Sequence, residues 1–116
     1  MMAEFMLLIR GGDDDAAEVS AEQAQQRIQK YIDWSRKLRE RGQNLGANEL
    51  AAGGSVLRSR GGEIVVDGPF AETKEAIGGY FHVQAEDEAE ALAIARECPV
   101  LHFGGVVEVR AIVDHS

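Results

Sequence analysis

The sequence predicts an α+β protein with the ferredoxin-like order β-α-β-β-α-β, in which two helices cover one face of an antiparallel sheet. Two observations support this class. Short apolar segments typical of strands alternate with two segments of helical periodicity, and Gly-Gly pairs or an Asp-Gly-Pro corner separate them. The 116 residues fit one domain, residues 1–116, with enough length for a modest core.

The first half of the chain predicts a strand, a long helix and a loop. Residues 5–10 are a continuous apolar run closed by an arginine, which is typical of a strand buried on both faces. Ser20 and Gln23 form a capping box, so a helix is expected to begin there and to end near Arg41. Residues 43–54 predict a loop with at most a short extended piece.

The second half predicts four strands, a sharp corner and a second helix. Gly61 and Gly62 separate two apolar-polar segments, which indicates a β-hairpin with a two-residue turn. The hairpin is followed by the corner Asp67-Gly68-Pro69, and residues 80–86 predict the next strand. Asp87 is the expected cap of a helix that Pro99 ends, and residues 106–113 predict the last strand.

Side-chain alternation leaves a second sheet face that two helices do not cover. Residues 5–9 are apolar on both sides, which predicts that the second face is also covered. The simplest cover is the same face of another copy, giving a homodimer with its sheets packed together. The side chains expected to line a polar cavity between the two sheets, with the first at its rim, are Asp67, Tyr80, His82, Glu108 and Arg110. On the opposite side, Phe81, Val83, Ala85, Val107, Val109, Ala111 and Val113 are expected to face the helices.

Two of these residues are candidates for proton transfer. Asp67 has a carboxylate suited to general acid/base chemistry, or it caps the turn of Gly68 and Pro69. His82 has an intrinsic pKa in the range that proton transfer needs, or it makes a structural hydrogen bond in the dimer interface.

Other residues are candidates for binding a ligand. Arg110 could hold an anionic group, or Glu108 and Arg110 neutralise each other across the interface. Tyr31 lines the pocket or belongs to the core or the interface. Lys74, in the polar segment 72–75, lies at the mouth of the pocket or in a solvated turn.

Composition narrows the classes of partner. A net charge of −8 argues against a nucleic-acid or anionic-membrane partner, and the apolar run near the start is too short to span a membrane. Cys98 is the single cysteine, so no disulfide framework is expected and a cytoplasmic protein is the default. The sequence contains no phosphate loop, dinucleotide fingerprint or metal-ligand spacing, so neither a cofactor nor a metal is expected.

Five segments together resemble the DGPF subgroup of the YCII-related family: "EFMLLIRGG", "YIDWSRKLRERG", "DGPFAETKEAIGGYFHV", "EAEALAIARECP" and "GGVVEVRAI". The resemblance implies a dimeric α+β barrel of ferredoxin-like protomers. Asp67 matches the motif aspartate, which relatives pair with a histidine on the first helix. That helix has Tyr31 or Trp34 in the same region and no histidine. DGPF members also occur beside or fused to extracytoplasmic-function sigma factors, which implies a regulatory setting.

Three functions are consistent with these features. The first is an enzyme or enzyme-like protein that binds a small polar metabolite in a dimer-interface cleft, with Asp67 as the acid/base and His82 and Arg110 positioning the ligand. The second is a non-catalytic ligand-sensing or regulatory module associated with a sigma factor. The third is that the polar residues only specify the dimer.

Overall fold

The computed structural model describes residues 2–11, 20–67 and 76–116. The elements in these ranges are strand β1 (Ala3–Gly11), helix α1 (Ala21–Glu40), strands β2 (Asn44–Glu49), β3 (Leu57–Arg60), β4 (Glu63–Val66) and β5 (Ile77–Ala85), helix α2 (Glu88–Arg96), a 3₁₀ turn (Pro99–Phe103) and strand β6 (Gly105–Ala111). The predicted α+β class is confirmed.

Four strands form one antiparallel sheet in the order β2-β5-β1-β6, with both helices on one side. Strands β3 and β4 form a separate two-stranded hairpin. When the hairpin is set aside, the remaining order β1-α1-β2-β5-α2-β6 is the ferredoxin-like arrangement that the sequence predicted. The hairpin is therefore inserted between β2 and β5, which are adjacent strands of the main sheet.

The prediction of a loop for residues 43–54 was wrong in its first half. Asn44–Glu49 is strand β2, which pairs with β5 at the edge of the main sheet. Its sequence, NLGANE, has little of the apolar alternation that marks a strand. An edge strand is held mainly by main-chain hydrogen bonds to a single neighbour, so pairing with β5 outweighs a weak side-chain pattern.

The core lies between the sheet and the two helices. Trp34 of α1 packs against Phe81 of β5 with ring centroids 4.5 Å apart, and Leu7, Leu38 and Val83 are fully buried. The alternation predicted for β5 is confirmed, because Phe81, Val83 and Ala85 are all buried.

The last strand follows its predicted alternation only in part. Val107 and Val109 of β6 pack against the core as expected. Ala111 is exposed at the end of the strand, and Val113, which lies beyond that end, is exposed as well. Placing Val113 under the helices was therefore wrong.

Both predicted helix starts are confirmed by their caps. Ser20 Oγ accepts from the Gln23 backbone N–H, and Gln23 Oε1 accepts from the Ser20 N–H, each at 3.1 Å. Asp87 Oδ1 accepts from the Glu90 N–H at 2.9 Å. Each cap satisfies N–H groups that have no partner within the helix. The first cap fixes the start of α1 at Ala21.

Candidate functional site

A cleft with a volume of about 580 Å³ lies between α1 and the sheet. The size falls within the range of small-molecule sites in proteins. Apolar side chains supply much of its lining, among them Ile9, Ile28, Ile32, Phe81, Val100 and Phe103. Ile28 and Ile32 have the helical spacing expected of core residues, yet both are exposed and line the cleft.

Tyr31 lies at the centre of the helix side of this cleft. Its ring stacks on Phe81 with centroids 6.4 Å apart, so the aromatic surface continues from the core into the cleft. Burial is the main cause that raises the pKa of Tyr31 above its ordinary value, and the neighbouring Cys98 thiol raises it further. Burial likewise raises the pKa of Cys98. Both groups are therefore neutral near pH 7 and act as hydrogen-bonding groups without charge.

Two cations lie on the same helix, close to an aromatic ring of the 3₁₀ turn. The guanidinium carbon of Arg27 lies 4.4 Å from the centroid of Phe103, and Lys30 Nζ lies 5.4 Å from it. Cations at these distances are attracted to the ring face. Arg27 and Phe103 both line the cleft, so this side of the cleft attracts an anionic group, and the carboxylate of Glu49 also belongs to the lining.

Sequence reasoning did not identify Arg27 or Phe103. Arg27 and Tyr31 are four residues apart and so share one face of a helix, which was an available signal. Phe103 comes from the other end of the chain, and nothing in its local pattern indicates that it meets α1. The cleft itself was expected at the dimer interface rather than beneath α1.

Strands β2 and β5 contribute residues to the sheet side of the cleft. Asn48 Nδ2 donates to the Tyr80 hydroxyl at 2.9 Å, and the two residues are direct partners in the β2–β5 register. Both residues line the cleft. The alternation of β5 also assigns Tyr80 to the sheet face opposite the helices, because its neighbour Phe81 is buried in the core. The hydrogen bond between Asn48 and Tyr80 therefore lies on the face opposite the helices.

The uncovered face holds the other candidates from the main sheet in two rows across β1. One row runs from Tyr80 through Leu8 to Glu108, and the next runs from His82 through Met6 to Arg110. The outer residues of each row are on strands separated by β1, so their backbones are roughly 10 Å apart. The structure thus brings Tyr80, His82, Glu108 and Arg110 to one face, with apolar side chains between them.

Ion pairs within the chain satisfy several of these groups. Glu108 is bound by Arg10 at 3.0 Å and by Arg110 at 3.1 Å. His82 Nε2 lies 2.6 Å from Glu4 Oε1. The neutralisation of Arg110 by Glu108 was one of the alternatives considered for this pair. It occurs here between side chains of the same strand.

Asp67 lies apart from this face, at the base of the β3–β4 hairpin. Its Oδ2 accepts from Arg58 Nε and from Arg60 Nη2, each at 2.7 Å. Its backbone N–H donates to the carbonyl of Val56 at 2.6 Å. Within the described ranges, no hydrogen bond or ion pair joins Asp67 to the candidates on the main sheet. Lys74 and the Gly68-Pro69 corner lie outside the described residues.

No group of three or more His, Cys, Asp or Glu side chains in the described part of the chain is placed to hold a metal ion. No helix there has both the length and the apolar character that crossing a membrane requires.

The fold and the cleft together define a class: a ferredoxin-like α+β protein with a helix-lined cleft and one sheet face left uncovered. The chain belongs to the YCII-related family, whose domain model matches residues 3–116. The description of that family names a domain and no activity. A search of curated proteins found no match.

Proposed function

We propose that the protein is an enzyme or enzyme-like protein that binds a small polar metabolite in the cleft between α1 and the sheet, within a homodimer. The observation that carries this proposal is the cleft itself, which has the size and the mixed lining of a small-molecule site. The sequence Asp67-Gly68-Pro69-Phe70 supports the finer assignment to the DGPF subgroup. We place the protein in the cytoplasm, where a lone thiol such as Cys98 stays reduced.

The lining specifies the chemistry of the ligand. Arg27, with Lys30 beside it, favours a carboxylate or phosphate group at the Phe103 side of the cleft. The Tyr31 hydroxyl and the Glu49 carboxylate are polar groups elsewhere in the lining. The apolar surface between these polar groups fits a short carbon skeleton or a ring. The ligand class is therefore a small organic anion that carries a second polar group.

A second copy of the chain supplies the remaining wall. The uncovered face carries half-buried Met6 and Leu8 and exposed Val106, which is more apolar surface than a sheet facing water usually presents. Packing of this face on its own copy buries these side chains in a two-fold interface. Because Tyr80 belongs to both the uncovered face and the lining of the cleft, the partner chain would border the bound metabolite.

The catalytic part of the proposal assigns proton transfer to Asp67 and His82. Each is held by one or more charged neighbours of its own chain, Asp67 by two arginines and His82 by Glu4. Neither residue lines the cleft of its own chain, so an acid/base role requires that the substrate extends beyond the cleft and replaces one of these contacts. Asp67→Asn then abolishes turnover of the metabolite while leaving its affinity nearly unchanged. A structural role instead weakens the hairpin and leaves turnover intact.

Binding in the cleft is tested with the anionic aromatic dye 1-anilinonaphthalene-8-sulfonate. Arg27→Gln should weaken dye binding roughly tenfold, since it removes a hydrogen bond to a charged group. The matched control is Arg36→Gln, an exposed arginine of the same helix outside the cleft lining, which should leave dye binding unchanged. Small carboxylates and phosphorylated metabolites are then screened for displacement of the dye. Equal dye affinity in both variants would contradict the cleft as the binding site.

A regulatory module is the second candidate, and the exposed apolar side of the β3–β4 hairpin favours it. Leu57, Ile64 and Val66 form a surface outside the uncovered sheet face that a sigma factor could bind. Purified extracytoplasmic-function sigma factor from the same organism distinguishes the two functions. A stable complex that Ile64→Thr disrupts supports the regulatory module, whereas the metabolite-binding function predicts no complex.

A further inference from the structure

The β3–β4 hairpin has one apolar side that the described part of its own chain leaves uncovered. In the register of the hairpin, Leu57 lies opposite Val66, and Ser59 lies opposite Ile64. Alternation puts these four residues on the same side. The three apolar side chains are 65%, 68% and 69% exposed for Leu57, Val66 and Ile64. They form a continuous aliphatic surface.

The opposite side of the hairpin carries half-buried Val65 together with charged side chains that pair with one another. Arg58 and Arg60 alternate with the apolar residues, and both donate to Asp67 Oδ2. The carboxylate thus joins the two strands on that side. The hairpin is organised without a core of its own, and its apolar side remains available for contact.

No other described element packs closely against this hairpin. Strands β3 and β4 contact each other extensively, and neither has an extensive contact with another described element. The Cα radius of gyration is 16.3 Å, against about 13 Å for a compact domain of this length. A two-stranded hairpin is only marginally stable in water unless its apolar side is covered. The hairpin thus projects from the body as an arm that lacks a cover.

The size of the expected interface favours a second copy as that cover. The uncovered sheet face presents two to four side chains from each strand, about a dozen in all. A stable protein interface uses roughly 20–30 residues on each side. The sheet face alone is therefore too small, and the hairpin together with its connection to β2 supplies the missing area.

The connection is long enough to reach a neighbouring chain. The hairpin is tethered to β2, an edge strand of the main sheet, by residues 50–56. Seven extended residues span up to roughly 23 Å. The outer strands of a four-stranded sheet are about 14 Å apart. An arm that leaves one edge can therefore cross the sheet of a copy packed face to face.

We infer that the β3–β4 hairpin is an intersubunit arm, whose apolar side packs on the partner chain of a homodimer. This inference rests on the homodimer of the proposed function. It also gives Asp67 a role independent of catalysis, because the carboxylate holds the two arginines that keep the arm formed. The partner chain buries the aliphatic surface that the arm exposes in a single chain.

The test measures the dimer dissociation constant by sedimentation equilibrium. The double variant Ile64→Thr/Val66→Thr keeps β-branched side chains in β4 and makes the apolar side polar. It should weaken dimerisation at least tenfold, a change that corresponds to about 1.4 kcal/mol. The matched control Val113→Thr makes the same chemical change at an equally exposed site outside the arm, and it should stay within about twofold of the wild type.

A third variant separates the arm from the dimer itself. Leu8→Glu places a charge in the centre of the uncovered sheet face and should abolish the dimer. Loss of the dimer in Leu8→Glu, together with a wild-type dissociation constant in Ile64→Thr/Val66→Thr, would contradict the role of the arm and support the homodimer. If the wild type is a monomer, both the arm and the homodimer are overturned, and a different protein remains as the partner of the hairpin.

A measurement on the unmodified chain keeps the test valid if the double variant does not fold. Protein with labelled isoleucine methyl groups is mixed with unlabelled protein, and isotope-filtered NMR detects contacts between chains. The arm predicts contacts from the Ile64 methyl groups to protons of the other chain. Contacts from Ile64 within its own chain alone would overturn the inference.

Discussion

The helix side of the main sheet and the apolar side of the β3–β4 hairpin contain the same kind of residue in opposite surroundings. Leu7 and Val83 are fully buried beneath α1 and α2, whereas Ile64 and Val66 are more than two thirds exposed. In both places aliphatic side chains alternate along a strand. Alternation therefore predicts which side chains share a face, and the element that covers the face has to come from elsewhere in the fold or from another chain.

The largest expected difference between the two regions is the effect of removing a leucine. Leu38→Ala creates a cavity in the core and should lower the free energy of unfolding by roughly 2–5 kcal/mol at any protein concentration. Leu57→Ala on the arm should have an effect that depends on concentration, because its cover belongs to a second chain. Urea unfolding at two protein concentrations measures both. An effect of Leu57→Ala that is equally large at both concentrations would show that its own chain covers it.

Two neighbouring glycines sharpen the comparison at the boundary between the sheet and the cleft. A Cβ added at Gly79 would lie 3.0 Å from the backbone oxygen of Asn48, so Gly79→Ala should push β2 away from β5 and destabilise the protein by roughly 1–3 kcal/mol. A Cβ at Gly78 would meet only the backbone oxygen of Ile9 at 4.0 Å. Gly78→Ala is therefore the matched control, with an expected change within about 0.5 kcal/mol. Equal thermal stability of the two variants would contradict the close approach of β2.

A smaller effect is expected on the polar side of the arm. Asp67→Asn weakens the ion pairs to Arg58 and Arg60, whose side chains are more than half exposed, so the loss should be about 1 kcal/mol. Hydrogen exchange of the β3 and β4 amides should become faster, with little change in β1 or β5. Asp33→Asn, a change at an exposed aspartate of α1, is the control. Unchanged exchange in the hairpin of Asp67→Asn would mean that the carboxylate does not hold it together.

The smallest effect concerns the pH dependence of the helix side. Tyr31 and Cys98 have ordinary pKa values of 10.0 and 9.0, and burial raises both. Their contribution to stability is fully present below those values and is lost as the pH rises through the raised ones. The melting temperature should therefore fall above about pH 9–10, and the fall should be shallower in Tyr31→Phe. Tyr80→Phe serves as the control, and a slope that Tyr31→Phe leaves unchanged would contradict the prediction.

The parts of the fold that could be predicted depend on residues close in sequence. The capping box of Ser20 and Gln23, the cap of Asp87 and the turn at Gly61 and Gly62 all follow from local chemistry, and each is confirmed. Strand β2 was missed because its pairing with β5 is determined by partners more than thirty residues away. The apolar alternation within β2 is too weak to distinguish this segment from a loop.

The candidate site shows the same limit. Alternation correctly placed Tyr80 and His82 on the side of β5 opposite the core, yet it could not show that α1 and the 3₁₀ turn form a cleft. The pairing of Asp67 with two arginines could have been predicted from the sequence. The Gly61-Gly62 turn fixes the register of the hairpin, and alternation puts Arg58, Arg60 and Asp67 on one side.

The mass of the wild-type protein in solution tests the central claim most directly, because the account requires a second copy for both the uncovered sheet face and the arm. Light scattering at micromolar concentration should give about 25 kDa, twice the 12.6 kDa of one chain. A mass of 12.6 kDa over the whole concentration range would contradict the account, since both surfaces would then face water.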